Sequence, residues 1–337
     1  MFSSSKFFYS SSAGSSVIAV AHSTTPYVSA YPWASGFGSK YADPATLPAG
    51  TGNGVAFDST KTNIAVAHTN TPYIAAYPWS NGFGTKYANP ATLPNFGNNV
   101  KFNPAGTVIA VARSTSPYVN AYPWSSGFGT AYSNPSTLPT GAGNGVAFNS
   151  AGTVIAVAHS TSPYISTYPW SSGFGTKYAD PSTLPTGAGQ SVAFSPSGAD
   201  IAVAHTTTPY ITAYPWSSGF GTKYADPTSL STATTGYGVA FNPAGNVVAY
   251  VVQGNSPYVY AYPWSSGFGT KYTAPGTAPT GNGNGVTFDV LGANIAIAHN
   301  TTPFITTYPW SSGFGTKYAN PSTLPTGNGN GVTFSPN

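Results

Sequence analysis

The sequence predicts an all-β chain assembled from seven like sheets, and three observations carry the prediction. The first is a period. The segment Tyr168-Pro169-Trp170-Ser171-Ser172-Gly173-Phe174-Gly175-Thr176-Lys177-Tyr178 returns in close copies, and its tryptophan recurs as Trp33, Trp79, Trp124, Trp170, Trp216, Trp264 and Trp310, at intervals of 45 to 48 residues. A fixed period in this range marks one supersecondary unit copied many times, each copy covering its neighbour's apolar face. The second is composition. Only 5% of the 337 residues are charged and none is Glu, whereas Gly, Pro, Tyr, Val and Thr abound. Long charged side chains that keep helices soluble are thus scarce, while strand and turn formers are plentiful. The third is alternation: Tyr27, Ser29, Tyr31 and Trp33 share one parity and Val28 and Ala30 the other, as side chains do on a strand.

Taken in order, residues 1 to 16 match no repeat and are expected to be irregular; they lack the continuous apolar core of a secretory leader. The repeats run from 17 to 337, so a single domain occupies 1–337. Each unit opens on a short apolar run such as Val17 to His22, read as a strand, and a Pro-containing turn leads to a second strand, Tyr27 to Trp33. A Ser-Gly turn then gives Phe37 to Ala42, read as the outermost strand, its Lys discouraging edge pairing. An Asp-Pro or Asn-Pro turn follows in six units, Asp43-Pro44 for example. A Gly-rich crossing leads to Val55-Ala56-Phe57, whose Phe recurs at Phe102, Phe148, Phe194, Phe241, Phe288 and Phe334. Four short antiparallel strands, seven times over, is the pattern of a seven-bladed β-propeller.

Laid out as Val192-Ala193-Phe194-Ser195-Pro196-Ser197-Gly198, then Ile201 to His205, then Tyr210 to Trp216, the unit resembles a WD40-type blade over the whole chain. It departs from that family in lacking the Gly-His and Trp-Asp dipeptides, with Tyr-Pro-Trp where Trp-Asp would stand. The first unit has no Val-x-Phe segment before Val17, and the chain stops after an unpartnered Gly331-Val332-Thr333-Phe334. The C-terminal strand is therefore expected to close the first blade.

Candidate chemistry is sparse. His22, His68, His159, His205 and His299 share one repeat position, with Arg113 and Val252 in the other two units. A ring of metal ligands would need them to converge, whereas equivalent sites on different blades lie far apart; the reading is structural, packing between blades. The aromatic side chains should mostly fill the wedge between blades, with Trp33, Trp79, Trp124, Trp170, Trp216, Trp264 and Trp310 the members placed to meet a glycan because each ends a strand beside a Ser-Gly turn. Lys40, Lys86, Lys177, Lys223, Lys271 and Lys317 spread one cation per blade, which is no phosphate-tracking groove, so no nucleic acid is expected. The Gly-rich loops lead into strands and lack Gly-Lys-Ser/Thr, so they are turns. There is no Cys, and no apolar run long enough for a membrane-spanning helix. The six Asp residues are scattered and no unit carries a polar cluster of its own, so no metal, cofactor or catalysis is expected.

The Tyr-Pro-Trp-Ser-Ser-Gly-Phe-Gly-Thr-Lys-Tyr repeat also resembles propeller repeats of tailed-bacteriophage proteins. That resemblance implies a non-enzymatic virion surface component, docking to other virion proteins and touching host-surface glycans, located on the virion or outside the cell. A soluble multivalent lectin and an intracellular WD40-like interaction scaffold are the alternative expectations.

Overall fold

A computed structural model describes residues 16–228 and 233–337, so nearly all of the segment expected to be irregular lies outside the described residues. Seven three-stranded antiparallel sheets follow one another. The first joins β1 (Ser16–His22) and β2 (Val28–Trp33) to the last strand of the chain. The second is β3 (Gly52–Phe57), β4 (Asn63–His68) and β5 (Ile74–Pro78), and the third β6 (Gly97–Phe102), β7 (Val108–Arg113) and β8 (Val119–Pro123). The fourth and fifth are β9 (Gly143–Phe148), β10 (Val154–His159) and β11 (Ile165–Pro169), then β12 (Gly189–Phe194), β13 (Asp200–His205) and β14 (Ile211–Pro215). The sixth is β15 (Thr235–Phe241), β16 (Val247–Gln253) and β17 (Val259–Pro263); β18 (Gly283–Phe288), β19 (Asn294–His299) and β20 (Ile305–Pro309) form the seventh, and β21 (Gly329–Phe334) returns to β1. Ile18 pairs with Phe334 and Val20 with Val332, so the C-terminal strand is the inner strand of the first blade, as the unpaired Val-x-Phe segment requires.

The inner strands β3, β6, β9, β12, β15, β18 and β21 neighbour one another in sequence, and β21 meets β3, which closes a seven-bladed propeller. Middle strands such as β10 are buried on both faces because each is covered by a blade on either side. The turn after each inner strand is pinned from within: Asn149 Oδ1 accepts the backbone N–H groups of Thr153 and Val154 at 2.8 and 3.0 Å. Asp58, Asn103, Asn242, Asp289 and Ser195 take the same place in other units.

The expected fourth strand is not a regular strand. The segment after Trp33 touches its sheet through a single bridge, Trp33 to Phe37, and through the Gly38 and Tyr41 N–H groups, which donate to the Pro32 and Ala30 carbonyls at 2.8 and 2.9 Å. Pro32 has no N–H to return, and Gly36 turns the chain at φ 143°, so a continuous ladder cannot form. The edge lysines are engaged as well. Lys40, Lys177 and Lys223 contact the Asp three residues on, and Lys86 and Lys317 the corresponding Asn. In the unit with Ala274 at that place, Lys271 instead lies over the Tyr260 ring, 5.2 Å from its centroid.

Candidate functional site

Of the two sets of residues singled out from the sequence, the tryptophans do not stand where expected, and the histidines are buried but bond within a blade rather than between blades. Each tryptophan is only 3–6% exposed, so no indole face is open to a sugar. Instead the indole is the joint between blades: Trp79, just after β5, meets Tyr41 of the preceding unit edge-on, with Phe57 and Phe83 at its other sides. The Tyr–Trp contact recurs at all seven interfaces with centroids 5.1–5.3 Å apart, Tyr318 against Trp33 completing the ring. The tyrosine of Tyr-Pro-Trp adds a second tie, for example Tyr77 Oη donating to the Thr46 carbonyl at 2.8 Å.

The five histidines are fully buried, and their ring hydrogen bonds run within a blade. Nε2 of His22 and His159 meets the Ser29 and Ser166 hydroxyls at 3.0 Å; that of His205 and His299 meets Thr212 and Thr306 at 2.9 Å. His68 faces a strand with Ala75 at the partner position. Where Arg113 replaces His, Asn120 replaces the hydroxyl, 2.6 Å from the guanidinium. Desolvation holds all five imidazoles at a pKa of about 4, so they are neutral at pH 7. Among the described residues no three metal-ligating side chains come together.

The space that can hold a ligand is on the axis. A cavity of about 620 Å3 is walled by all seven inner strands. It opens at one end into a second cavity of about 430 Å3, the mouth, ringed by Asn53, Asn98, Asn144, Gln190, Tyr237, Asn284 and Asn330. These are equivalent positions of the Gly-Asn-Gly crossing, read from sequence as a turn; they belong to the inner strands. Their amides stitch the ring. Asn53 Nδ2 donates to the Gly97 carbonyl at 2.9 Å, Asn98 to Gly143, Asn144 to Gly189 and Asn284 to Gly329 at 2.8 Å, and Asn330 to Gly52 at 2.9 Å. Glycine is needed beside them, since a Cβ on Gly54 would sit 2.9 Å from Asn99 Cα in the next blade.

The channel itself breaks the symmetry. At the middle position of Val-x-Phe six units carry Ala or Thr, whereas β6 carries Lys101, which lines the channel. Its ammonium has no hydrogen-bond or ion-pair partner among the described residues; the side chain is half-buried in the channel, and desolvation there lowers its pKa. The same strand supplies Asn99 to the channel lining, and Asn99 Oδ1 is buried without a donor. One unit therefore places a charged side chain in the channel where the others do not, and the one-residue departure of Lys101 from the repeat was the signal for it. The two carboxylates that line the channel are occupied, Asp58 and Asp289 each capping its turn. An unpaired cation in a narrow, partly apolar channel can bind an anion or stabilise an oxyanion.

No protein-family model and no curated protein sequence matches the chain. Solved structures do. A candidate 6-phosphogluconolactonase of Bacteroides uniformis overlays with a TM-score of 0.73 at 12% identity, over 95% of this chain and 99% of that one. A second, from Bacteroides fragilis, gives 0.76 at 11%, over 96% and 99%. The periplasmic gluconolactonase of Pseudomonas aeruginosa gives 0.71 at 11%, over 95% and 99%. At these identities the likeness establishes the seven-bladed fold. It also corrects the functional expectation: three propellers that overlay end to end are named as lactonases, which turns the reading away from a non-enzymatic virion component and from the exclusion of catalysis.

Proposed function

We propose that the protein hydrolyses a sugar lactone in its axial channel, with Lys101 as the catalytic cation. The observation that carries this reading is the unpartnered Lys101 ammonium facing the channel, inside a fold whose named neighbours include gluconolactonases. Water adds to the lactone carbonyl, and the charge that develops on its oxygen is stabilised by the ammonium in a site poorer in water than bulk. The ring ester bond then breaks, the ring oxygen leaves as a hydroxyl, and the product acid releases one proton. A lysine with a lowered pKa is also a better proton donor to that leaving oxygen.

The test is proton release from D-glucono-δ-lactone, measured above the spontaneous rate. Lys101→Met should lower kcat/KM by about 100-fold or more, the scale seen when an oxyanion donor is removed. Wild-type activity should fall at high pH as Lys101 deprotonates, at a pH below the ordinary lysine value of 10.5, and Lys101→Arg should move that limb upward. A wild-type rate no faster than the blank, or full activity in Lys101→Met, would refute the reading.

A further inference from the structure

The mouth has recognition chemistry that hydrolysis at Lys101 leaves unexplained. Because Nδ2 of each stitching asparagine is committed to a neighbouring carbonyl, its Oδ1 is the atom left to face the cavity, and that atom is an acceptor. Asn98 Oδ1 receives Ser114 Oγ at 3.3 Å and Asn284 Oδ1 receives Gln253 Nε2 at 3.0 Å. Those of Asn330, Asn53 and Asn144 have no protein donor among the described residues, and all three line the mouth. Neutral acceptors on a rim call for hydroxyl donors rather than for an anion.

Two of the large apolar side chains exposed at the surface stand on this rim. Tyr237, 37% exposed, replaces the ring asparagine in β15, and Phe96, 39% exposed, precedes β6, where other units have Thr, Ala or Asn. β6 and β15 are three blades apart in a ring of seven, so the two aromatics come from opposite sides of the opening. Phe96 is held at φ 54°, a left-handed conformation costly for its side-chain type. Aromatic faces beside free acceptors suit a pyranose-like ring, whose C–H face stacks while its hydroxyls donate, and a cavity of about 430 Å3 is in the range of small-molecule sites.

We infer that the mouth is an entry subsite for a neutral cyclic polyol of monosaccharide size, packed against Tyr237 and Phe96 and hydrogen-bonded to the side-chain oxygens of Asn330, Asn53 and Asn144. This deepens the lactonase reading and depends on it only for which bond then reacts. Lys101 follows Asn98 by three residues on the same strand, a descent of about 10 Å toward the reacting position.

The probe is D-glucono-δ-lactam, a neutral ring whose amide resists hydrolysis, titrated into the full chain by calorimetry and saturation-transfer NMR. Wild type should bind it at millimolar concentration or below. Tyr237→Asn, which installs the residue of other blades and so preserves the fold, should weaken binding about tenfold; Phe96→Asn, which tolerates the positive φ, should weaken it less. Absence of binding, or equal affinity in Tyr237→Asn, overturns the inference. Lactam binding without lactone turnover upholds the subsite and refutes the hydrolytic reading; turnover without lactam binding does the reverse.

Discussion

Acidification from pH 7 to pH 5 should unfold the protein through its five buried histidines. Each imidazole has a folded pKa of about 4 against an ordinary value of 6.5, because burial disfavours the cation. Above pH 6.5 both folded and unfolded chains keep these rings neutral, and they impose no penalty. As the pH falls below 6.5 the unfolded chain takes up protons that the folded one refuses until about pH 4, so stability is present at neutral pH and is lost across that window. The difference is worth about 3.4 kcal/mol per histidine and roughly 17 kcal/mol for five acting independently. That ceiling exceeds the roughly 5–15 kcal/mol by which domains are stable, so unfolding should begin before the full penalty accrues. At pH 5 the unfolded state should bind about four more protons than the folded one. Urea unfolding followed by tryptophan fluorescence at pH 7, 6 and 5 reads that number directly from the slope of stability against pH. His159→Gln keeps a polar side chain toward Ser166 without titrating and should lower the count by about one. A slope below one proton at pH 5, or an unchanged slope in His159→Gln, would refute the reasoning.

Removal of residues 331–337 should prevent stable folding. It strips Val332 and Phe334, both buried, from β1 and breaks the tie of Ser335 to Val17, a loss of roughly 5–10 kcal/mol; a truncated chain that melts at the wild-type temperature would show that the last strand does not close the ring. Gly52→Ala should destabilise by several kcal/mol, since its Cβ would collide with the Tyr27 backbone carbonyl of the preceding blade. Denaturant midpoints should show a smaller effect for Gly276→Ala, where nothing stands in the way of a Cβ.

The sequence by itself determined the number of blades, three of the four strands expected in each and the pairing of the last strand with the first blade, because a period of about 46 residues and two-residue alternation are local properties that survive whatever the sheets pack against. It also contained the histidine pairing: seven residues after His22, His159, His205 and His299 comes Ser or Thr, and after Arg113 comes Asn120, while Val252, across a turn one residue longer, is followed eight residues on by Tyr260. Those exchanges place the partner on the adjacent strand and could have been read without coordinates. The fate of Trp33 and its equivalents could not. A strand-end indole beside a Ser-Gly turn is exposed in an isolated blade and becomes buried when Tyr318 or its equivalents arrive from the neighbouring unit. The channel is likewise a product of tertiary structure, since Gly-Asn-Gly is a turn signal until the equivalent segments of seven blades line an axis and five of them lend a side-chain amide to the next blade's carbonyl. Lys101 stands in the sequence as one substitution in a repeat; closure of the ring is what puts its charge in a confined space without a counter-ion, where desolvation can act on it.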